Sequence, residues 1–174
     1  EQSYQASRLP GYPVPELLLS PFVAFGGPQL SKLAVAAVGF ALLYAFDRLG
    51  RALGAAGMGL ATLALATSPA FLVQSTSVVE TVFTLGGLLA ALLAVRRGQV
   101  FHGAGWFGVS FASRVTSGLY APVALLWARA RGMAWLSVGQ LALFGVQAAA
   151  ILFIPVLARY RAEFMELPGA EPSL

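Results

Sequence analysis

Two groups of polar residues interrupt otherwise apolar stretches of this sequence, and the first surrounds Glu80. The polar positions between residues 71 and 95 follow offsets of three, three, one and three, which is one face of a helix: Gln74, Ser77, Glu80, Thr81 and Thr84. An ionisable residue in an apolar span usually faces a bundle interior or a water-filled cavity, so Glu80 is a candidate functional residue. The alternative is that Glu80 starts a helix, where the macrodipole favours an acid.

The second group consists of Ser110, Ser113, Arg114 and Ser117. An arginine flanked by hydroxyls is suited to phosphate, because its planar fork makes bidentate charge-assisted hydrogen bonds. Two structural roles compete with this interpretation: a headgroup anchor whose stem is buried in the membrane, and a salt bridge to Glu80.

Most soluble-enzyme chemistry is excluded by what the sequence lacks. It has no Cys, no Ser/His/Asp set, no cluster with metal-ligand spacing and no Gly-rich phosphate loop between a strand and a helix. The single histidine, His102, is interpreted as an interfacial residue rather than a base. We therefore name no catalytic residue and no metal ligand from motifs.

The elements that must position these groups are membrane helices. Of the 174 residues, 58% are hydrophobic and 10% are charged, whereas soluble domains carry about 25% charged residues. The mean hydropathy is +0.77. These values predict an all-α, multi-pass transmembrane bundle, with about five or six crossings at roughly 20 residues each. The net charge of +4 comes from scattered cations that form no basic patch with interleaved aromatic residues, which indicates lipid headgroups rather than nucleic acid.

A single membrane-embedded domain is expected over residues 1–174. Residues 1–29 form an outer loop and a short helix, 30–158 the transmembrane helices, and 159–174 an outer juxtamembrane tail. Three prolines between Pro10 and Pro15 predict an extended segment, with Pro15 as the first helical position. The short helix is expected over Glu16 to Phe25, kinked or stopped near Pro21 and ended by Gly26-Gly27-Pro28.

The spans are read from uncharged apolar runs, and the order along the chain is Leu30–Phe46, Ala52–Thr67, Phe71–Val95, Val100–Ala112, Val115–Ala128 and Met133–Ala158. Small residues at four-residue spacing predict close helix packing: Ala37, Ala41 and Ala45; Gly57 and Ala61; Gly86, Ala90 and Ala94. The two short runs on either side of Ser113-Arg114 form either a hairpin or, over 103–128, one span.

Basic loops suggest the orientation but do not choose between these two topologies, since six arginines face the cytoplasm in either. We predict the hairpin, as a re-entrant or tilted pair of helices in a locally protected site, because neither short run alone is long enough to cross about 30 Å of hydrocarbon at about 1.5 Å per residue. In that topology both chain ends and Arg114 lie outside, and Arg48, Arg96 and Arg129 lie inside.

A family resemblance emerges from the loop Ser7–Leu18, whose sequence is SRLPGYPVPELL, followed by a Gly-Gly break and an apolar hairpin. This order resembles the first outer loop and following helices of GT-C glycosyltransferases that use polyprenyl-phosphate sugars, of the mannosyltransferase type. The resemblance continues through Ser68–Phe71, Glu80 and Gly108–Leu119.

The resemblance implies sugar transfer from a polyprenyl-phosphate donor at the outer face of a prokaryotic plasma membrane. The substrate-binding residues it implies are Arg8, Tyr12, Glu16, Glu80 and Arg114. It names no cofactor beyond the lipid-linked donor and leaves a divalent metal open. The partners are membrane lipid, the lipid-linked sugar and an acceptor of unspecified type.

The sequence departs from the family in one respect. The family's catalytic acid precedes the proline-rich loop, after a first span, and neither the span nor an Asp stands before Ser7. We therefore expect a fragment that is inactive alone. A transporter in which Glu80 and Arg114 line a pore, and a helix-packing scaffold subunit, are the alternatives.

Overall fold

The structure is a computed structural model that describes residues 13–77 and 80–160, and over these ranges the chain is helical, without strands. The helices are α1 Pro13–Ala52, α2 Met58–Thr67, α3 Pro69–Thr76, α4 Thr81–Arg96, α5 Val100–Ser113, a 3-10 helix Val115–Tyr120, α6 Ala121–Ala130 and α7 Trp135–Tyr160. The all-α prediction is confirmed for the described residues.

Helix α1 is divided by Gly27, whose φ of 64° and ψ of −162° are non-helical. That conformation is essentially restricted to glycine. Pro28 follows it as the first residue of the longer part, where its missing N–H costs nothing. The break expected at the Gly-Gly-Pro sequence is therefore confirmed. Of the kink or stop expected near Pro21, the stop is wrong, because the backbone stays helical there. The helix also begins earlier than expected, at Pro13, since proline fits a first turn.

The part of α1 before Gly27, residues 13–26, is called the arm, and it packs against one end of the bundle. Val14 and Leu19 of the arm join a buried cluster with Val35, Phe83 and Ala112. These residues come from α1, α4 and α5, and Leu152 and Phe153 of α7 pack against them. We call this the arm end of the bundle.

The opposite end has its own buried cluster, formed by Val95, Ala104, Ala128, Val138 and Leu141. Six arginines lie near this cluster, and we therefore call this part of the bundle the arginine end. They are Arg48, Arg51, Arg96, Arg97, Arg129 and Arg131. The long part of α1 and α4 run from the arm end to the arginine end, and α5 and α7 run back.

Helix α5 lies between α4 and α7, and glycines permit the close approach. A Cβ at Gly87 would lie 2.9 Å from the Ser110 backbone nitrogen, and one at Gly108 would lie 3.0 Å from the backbone nitrogen of Ala149. The contact face of α4 thus contains Gly87 and Ala91. Of the predicted stripe, Ala94 is buried, whereas Gly86 and Ala90 are only half-buried.

The small-residue stripe predicted on α1 does not form a buried face either, since Ala37 and Ala41 are exposed and Ala45 is only half-buried. The contact on this helix is made by Gly39, where an added Cβ would lie 2.9 Å from the Ser75 Cβ. In an alanine-rich helix several faces carry small residues four apart, and only the neighbouring helix decides which face packs.

The expected continuous span Phe71–Val95 is wrong, because α3 ends at Thr76 and α4 begins at Thr81. Ser77 is extended, with a ψ of 147°. The hydroxyl of Thr76 donates to the Leu72 carbonyl at 2.7 Å. Consecutive Ser and Thr residues offer such local alternatives to helical hydrogen bonds, which weakens a helix at this point.

The chain reverses after Ser113, as the hairpin prediction requires. Arg114 is extended, with a φ of −161° and a ψ of 115°, and the 3-10 helix leads into α6. Ala128 near the end of α6 belongs to the cluster at the arginine end. Residues 103–128 therefore do not form a single span.

Two helices among the described residues are long and apolar enough to cross a membrane, α1 and α7. The pair α2 and α3, bent by 64° at Ser68-Pro69, makes a third if it is counted as one broken span. The expected five or six full crossings are thus too many by helix length, because α4 has 16 residues, α5 has 14 and α6 has 10. The two long apolar helices, α1 and α7, are compatible with a membrane protein.

Candidate functional site

Glu80 occupies the residue just before α4, not the middle of a long helix. Its backbone carbonyl accepts hydrogen bonds from the Thr84 N–H and the Thr84 hydroxyl, both at 2.9 Å. The half-buried residue makes no side-chain capping bond. A carboxylate there faces the positive end of the helix dipole. The structure therefore agrees with the helix-start interpretation of Glu80, and the predicted polar stripe is divided between two helices.

Arg114 lies exposed at the turn between α5 and the 3-10 helix, whereas the neighbouring serines are buried. The Ser110 hydroxyl donates to the Thr84 carbonyl at 2.8 Å and joins α5 to α4. The Ser113 hydroxyl donates to the Val109 carbonyl at 2.7 Å. These two hydroxyls are committed to packing, so they do not form the expected cluster around the guanidinium.

Ser117 differs from the other two serines. Its hydroxyl oxygen is buried and has no hydrogen-bond partner among the described residues. It lies in the 3-10 helix, three residues after Arg114, and its own N–H donates to the Arg114 carbonyl at 2.9 Å. The turn that presents Arg114 is therefore held by backbone bonds rather than by the serine hydroxyl.

The remaining candidate residues belong to the N-terminal region. Glu16 lies half-buried in the first turn of the arm, where an acid is favoured by the helix dipole. Arg8 and Tyr12 lie outside the described residues, as does the tail beyond residue 160.

Three of the predicted substrate residues share the arm end. Glu16 lies between Val14 and Leu19, Glu80 precedes Phe83 by three residues, and Arg114 follows Ala112 by two. The flanking apolar residues all belong to one buried cluster. Within the described ranges, Glu80 and Arg114 do not form an ion pair. The ion pair found there joins Arg51 Nε and Asp47 Oδ2 at 2.7 Å.

Two cavities of the described structure lie elsewhere. One, of about 370 Å³, is lined by four arginines together with Ala52 and Leu93 at the arginine end. The other, of about 440 Å³, follows the outer face of α5 along Phe101, His102 and Trp106. His102 is exposed, as expected of an interfacial residue. Over residues 13–77 and 80–160 no three His, Asp or Glu side chains are grouped so that they could hold a metal ion.

The sequence interpretation used these arginines only to orient the chain and did not predict that they line a cavity. A recognisable signal existed, since two separate apolar runs both end in paired arginines, Arg48 with Arg51 and Arg96 with Arg97. Their convergence required knowing that α1 and α4 are neighbours and run in the same direction.

Comparisons of the chain with protein-family models, with curated proteins and with solved structures gave no match.

Proposed function

We propose that this chain is the membrane-embedded part of a multi-pass glycosyltransferase of the GT-C kind, acting on a polyprenyl-phosphate sugar at the outer membrane face. The observation that carries the proposal is the shared position of Glu16, Glu80 and Arg114 around the buried cluster of the arm end. These are three of the five residues that the family resemblance implies in substrate binding. They are distant in sequence, and folding brings them to one end of the molecule.

The chemistry of such a donor suits these groups. Its phosphate leaves with negative charge, which a preorganised cation stabilises. Arg114 is exposed and its backbone is extended, so its guanidinium can reach an anion outside the bundle. Glu16 and Glu80 supply carboxylates that accept hydrogen bonds from sugar hydroxyls.

The charge distribution supports placing this end outside the membrane. Among the cations whose side chains are described, only Lys32 and Arg114 lie towards the arm end, and six arginines lie at the other. Cytoplasmic loops carry an excess of Lys and Arg. The arm end is accordingly extracytoplasmic, where lipid-linked sugar donors are used in the proposed reaction.

Substitution of Arg114 in the complete protein tests the proposal. We expect Arg114→Ala to lower kcat/KM for a polyprenyl-phosphate sugar by roughly 10- to 100-fold, since charge-assisted hydrogen bonds contribute about 1.5–3 kcal/mol. Arg114→Lys should restore part of the loss, because a point charge makes no bidentate contact. Transfer of radiolabelled sugar in isolated membranes is the measurement.

Two further variants accompany Arg114→Ala in this test. Glu80→Gln should lower turnover while the protein stays inserted and folded, and Arg131→Ala, which removes an exposed arginine at the opposite end, should leave transfer unchanged. Full transfer by Arg114→Ala would contradict the proposed role of Arg114 at the donor phosphate, and no transfer by the unchanged complete protein would contradict the enzyme proposal.

A helix-packing subunit is the second candidate, and one observation favours it. The Ser110 and Ser113 hydroxyls are committed to backbone carbonyls of the bundle. If the chain only binds other helices, changes at the arm end leave activity intact, whereas enlarging its exposed apolar faces disrupts assembly with its partner helices.

A further inference from the structure

The arginine cavity lies where the last turns of α1 and α4 meet. Arg48 and Arg51 come from α1, and Arg96 and Arg97 come from the end of α4 and the residue after it. The cavity has a volume of about 370 Å³. Four arginines from two separate helices therefore line one cleft.

The cleft carries an uncompensated positive charge. Asp47 pairs with Arg51, with a distance of 2.7 Å between the carboxylate oxygen and Nε. Within the part of the chain that the structure describes, Arg48, Arg96 and Arg97 form no ion pair with a carboxylate. Four positive groups against one negative group leave three positive charges around the cavity, and their mutual repulsion is relieved when an anion binds.

An apolar strip continues from the cleft towards the middle of α1. The guanidinium carbon of Arg48 lies 5.9 Å from the centre of the Tyr44 ring. Tyr44 and Phe40 lie one and two turns before Arg48 in α1, and their side chains are 66% and 72% exposed. A ligand held by the arginines therefore has apolar side chains beside it in the direction of the membrane interior.

We propose that this cleft binds the phosphate headgroup of an anionic phospholipid, with an acyl chain lying along Tyr44 and Phe40. Arginine forks match phosphate oxygens bidentately. Basic pockets between helices at the cytoplasmic surface are suited to such headgroups. The apolar strip favours a lipid over a soluble phosphate compound, which would leave Tyr44 and Phe40 uncovered. The site lies at the opposite end from the proposed catalytic face and does not depend on it.

The test is a lipid titration of the purified full chain in non-ionic detergent, with bound lipids counted by native mass spectrometry. Phosphatidylglycerol should bind at one saturable site, and phosphatidylcholine should not. The double variant Arg96→Gln with Arg97→Gln should weaken phosphatidylglycerol binding about tenfold or more, because the charge-assisted bonds of two guanidiniums are lost.

The matched control is Arg129→Gln with Arg131→Gln, which removes the same charge at the same end. These guanidiniums lie outside the cavity, against Trp135 and Trp127 at 5.2 and 5.3 Å from the ring centres. Affinity should change less than about twofold, since no cleft bond is lost. Equal losses in the two double variants would show general surface attraction and overturn the site.

Two further arms separate the lipid from other causes. Inorganic phosphate at millimolar concentration should not displace the lipid, and Tyr44→Ala should weaken lipid binding. Displacement by phosphate, together with unchanged binding in Tyr44→Ala, would overturn the lipid assignment in favour of a soluble anion. The variant Arg96→Lys with Arg97→Lys keeps the charge and should bind at an intermediate level, whereas a loss as large as that in the Gln double variant would contradict a charge-dependent site.

Discussion

Gly86 and Gly87 are adjacent in α4, yet their surroundings are opposite. An added Cβ at Gly87 would lie 2.9 Å from the Ser110 nitrogen and 3.0 Å from the Trp106 carbonyl oxygen, both backbone atoms of α5. Apart from the backbone of its own helix and its two chain neighbours, no atom lies within 4 Å of a Cβ added at Gly86. Because backbone moves only with its whole helix, Gly87→Ala should destabilise the bundle by about 1–3 kcal/mol through overpacking.

Gly86→Ala is the matched control at this scale, and it should be neutral or stabilising by up to about 1 kcal/mol from helix propensity. The measurement is the unfolding midpoint of the two variants in detergent, relative to the unchanged chain. Equal midpoints would show that α4 and α5 do not approach as closely as the structure has them.

At the scale of elements, the arm depends on the backbone conformation of Gly27. A φ of 64° with a ψ of −162° is strained for any residue with a Cβ, at about 1–3 kcal/mol. Gly27→Ala should therefore release the arm from the cluster that contains Val14 and Leu19, while the rest of the bundle stays folded. Hydrogen exchange of the arm amides should become faster, and exchange in α5 should not.

Ser20→Ala, an exposed change within the same arm, is the control and should leave exchange unaltered. If Gly27→Ala also left the arm protected, the arm would not be held by the break at this glycine.

At the scale of the whole molecule, the proposed orientation places the turn of the α5–α6 hairpin on one membrane face and the arginine end on the other. Thr116 is exposed at the turn and Ala130 is exposed near the arginine end. The sequence has no cysteine, so single-cysteine variants give no background. Thr116→Cys should react with a membrane-impermeant maleimide on intact cells, and Ala130→Cys only after permeabilisation, because basic loops stay in the cytoplasm.

These positions suit labelling better than their neighbours, since Ser113 is fully buried and Gly132 has a φ of 86°. Labelling of Ala130→Cys on intact cells would contradict the orientation, and reaction of both variants from one side would contradict a hairpin that connects the two faces.

Several features of this protein follow from the sequence alone, because local chemistry determines them. An apolar composition with little charge predicts helices suited to lipid. Gly27 before Pro28 predicts the break in α1, and Ser68-Pro69 predicts the bend between α2 and α3. In each case the deciding atoms lie within a few residues of one another.

Only the tertiary structure decided which faces and ends meet. Periodicity placed Gly86 on the packing face, but the rotation of α4 against α5 selects Gly87. The helical spacing of the polar residues likewise predicted one continuous helix through Glu80, but the chain is not helical just before α4 begins. The arginine cavity joins residues about 45 positions apart, Arg51 and Arg96. Such contacts depend on how neighbouring helices run and rotate, and neither property is encoded in a local pattern of residues.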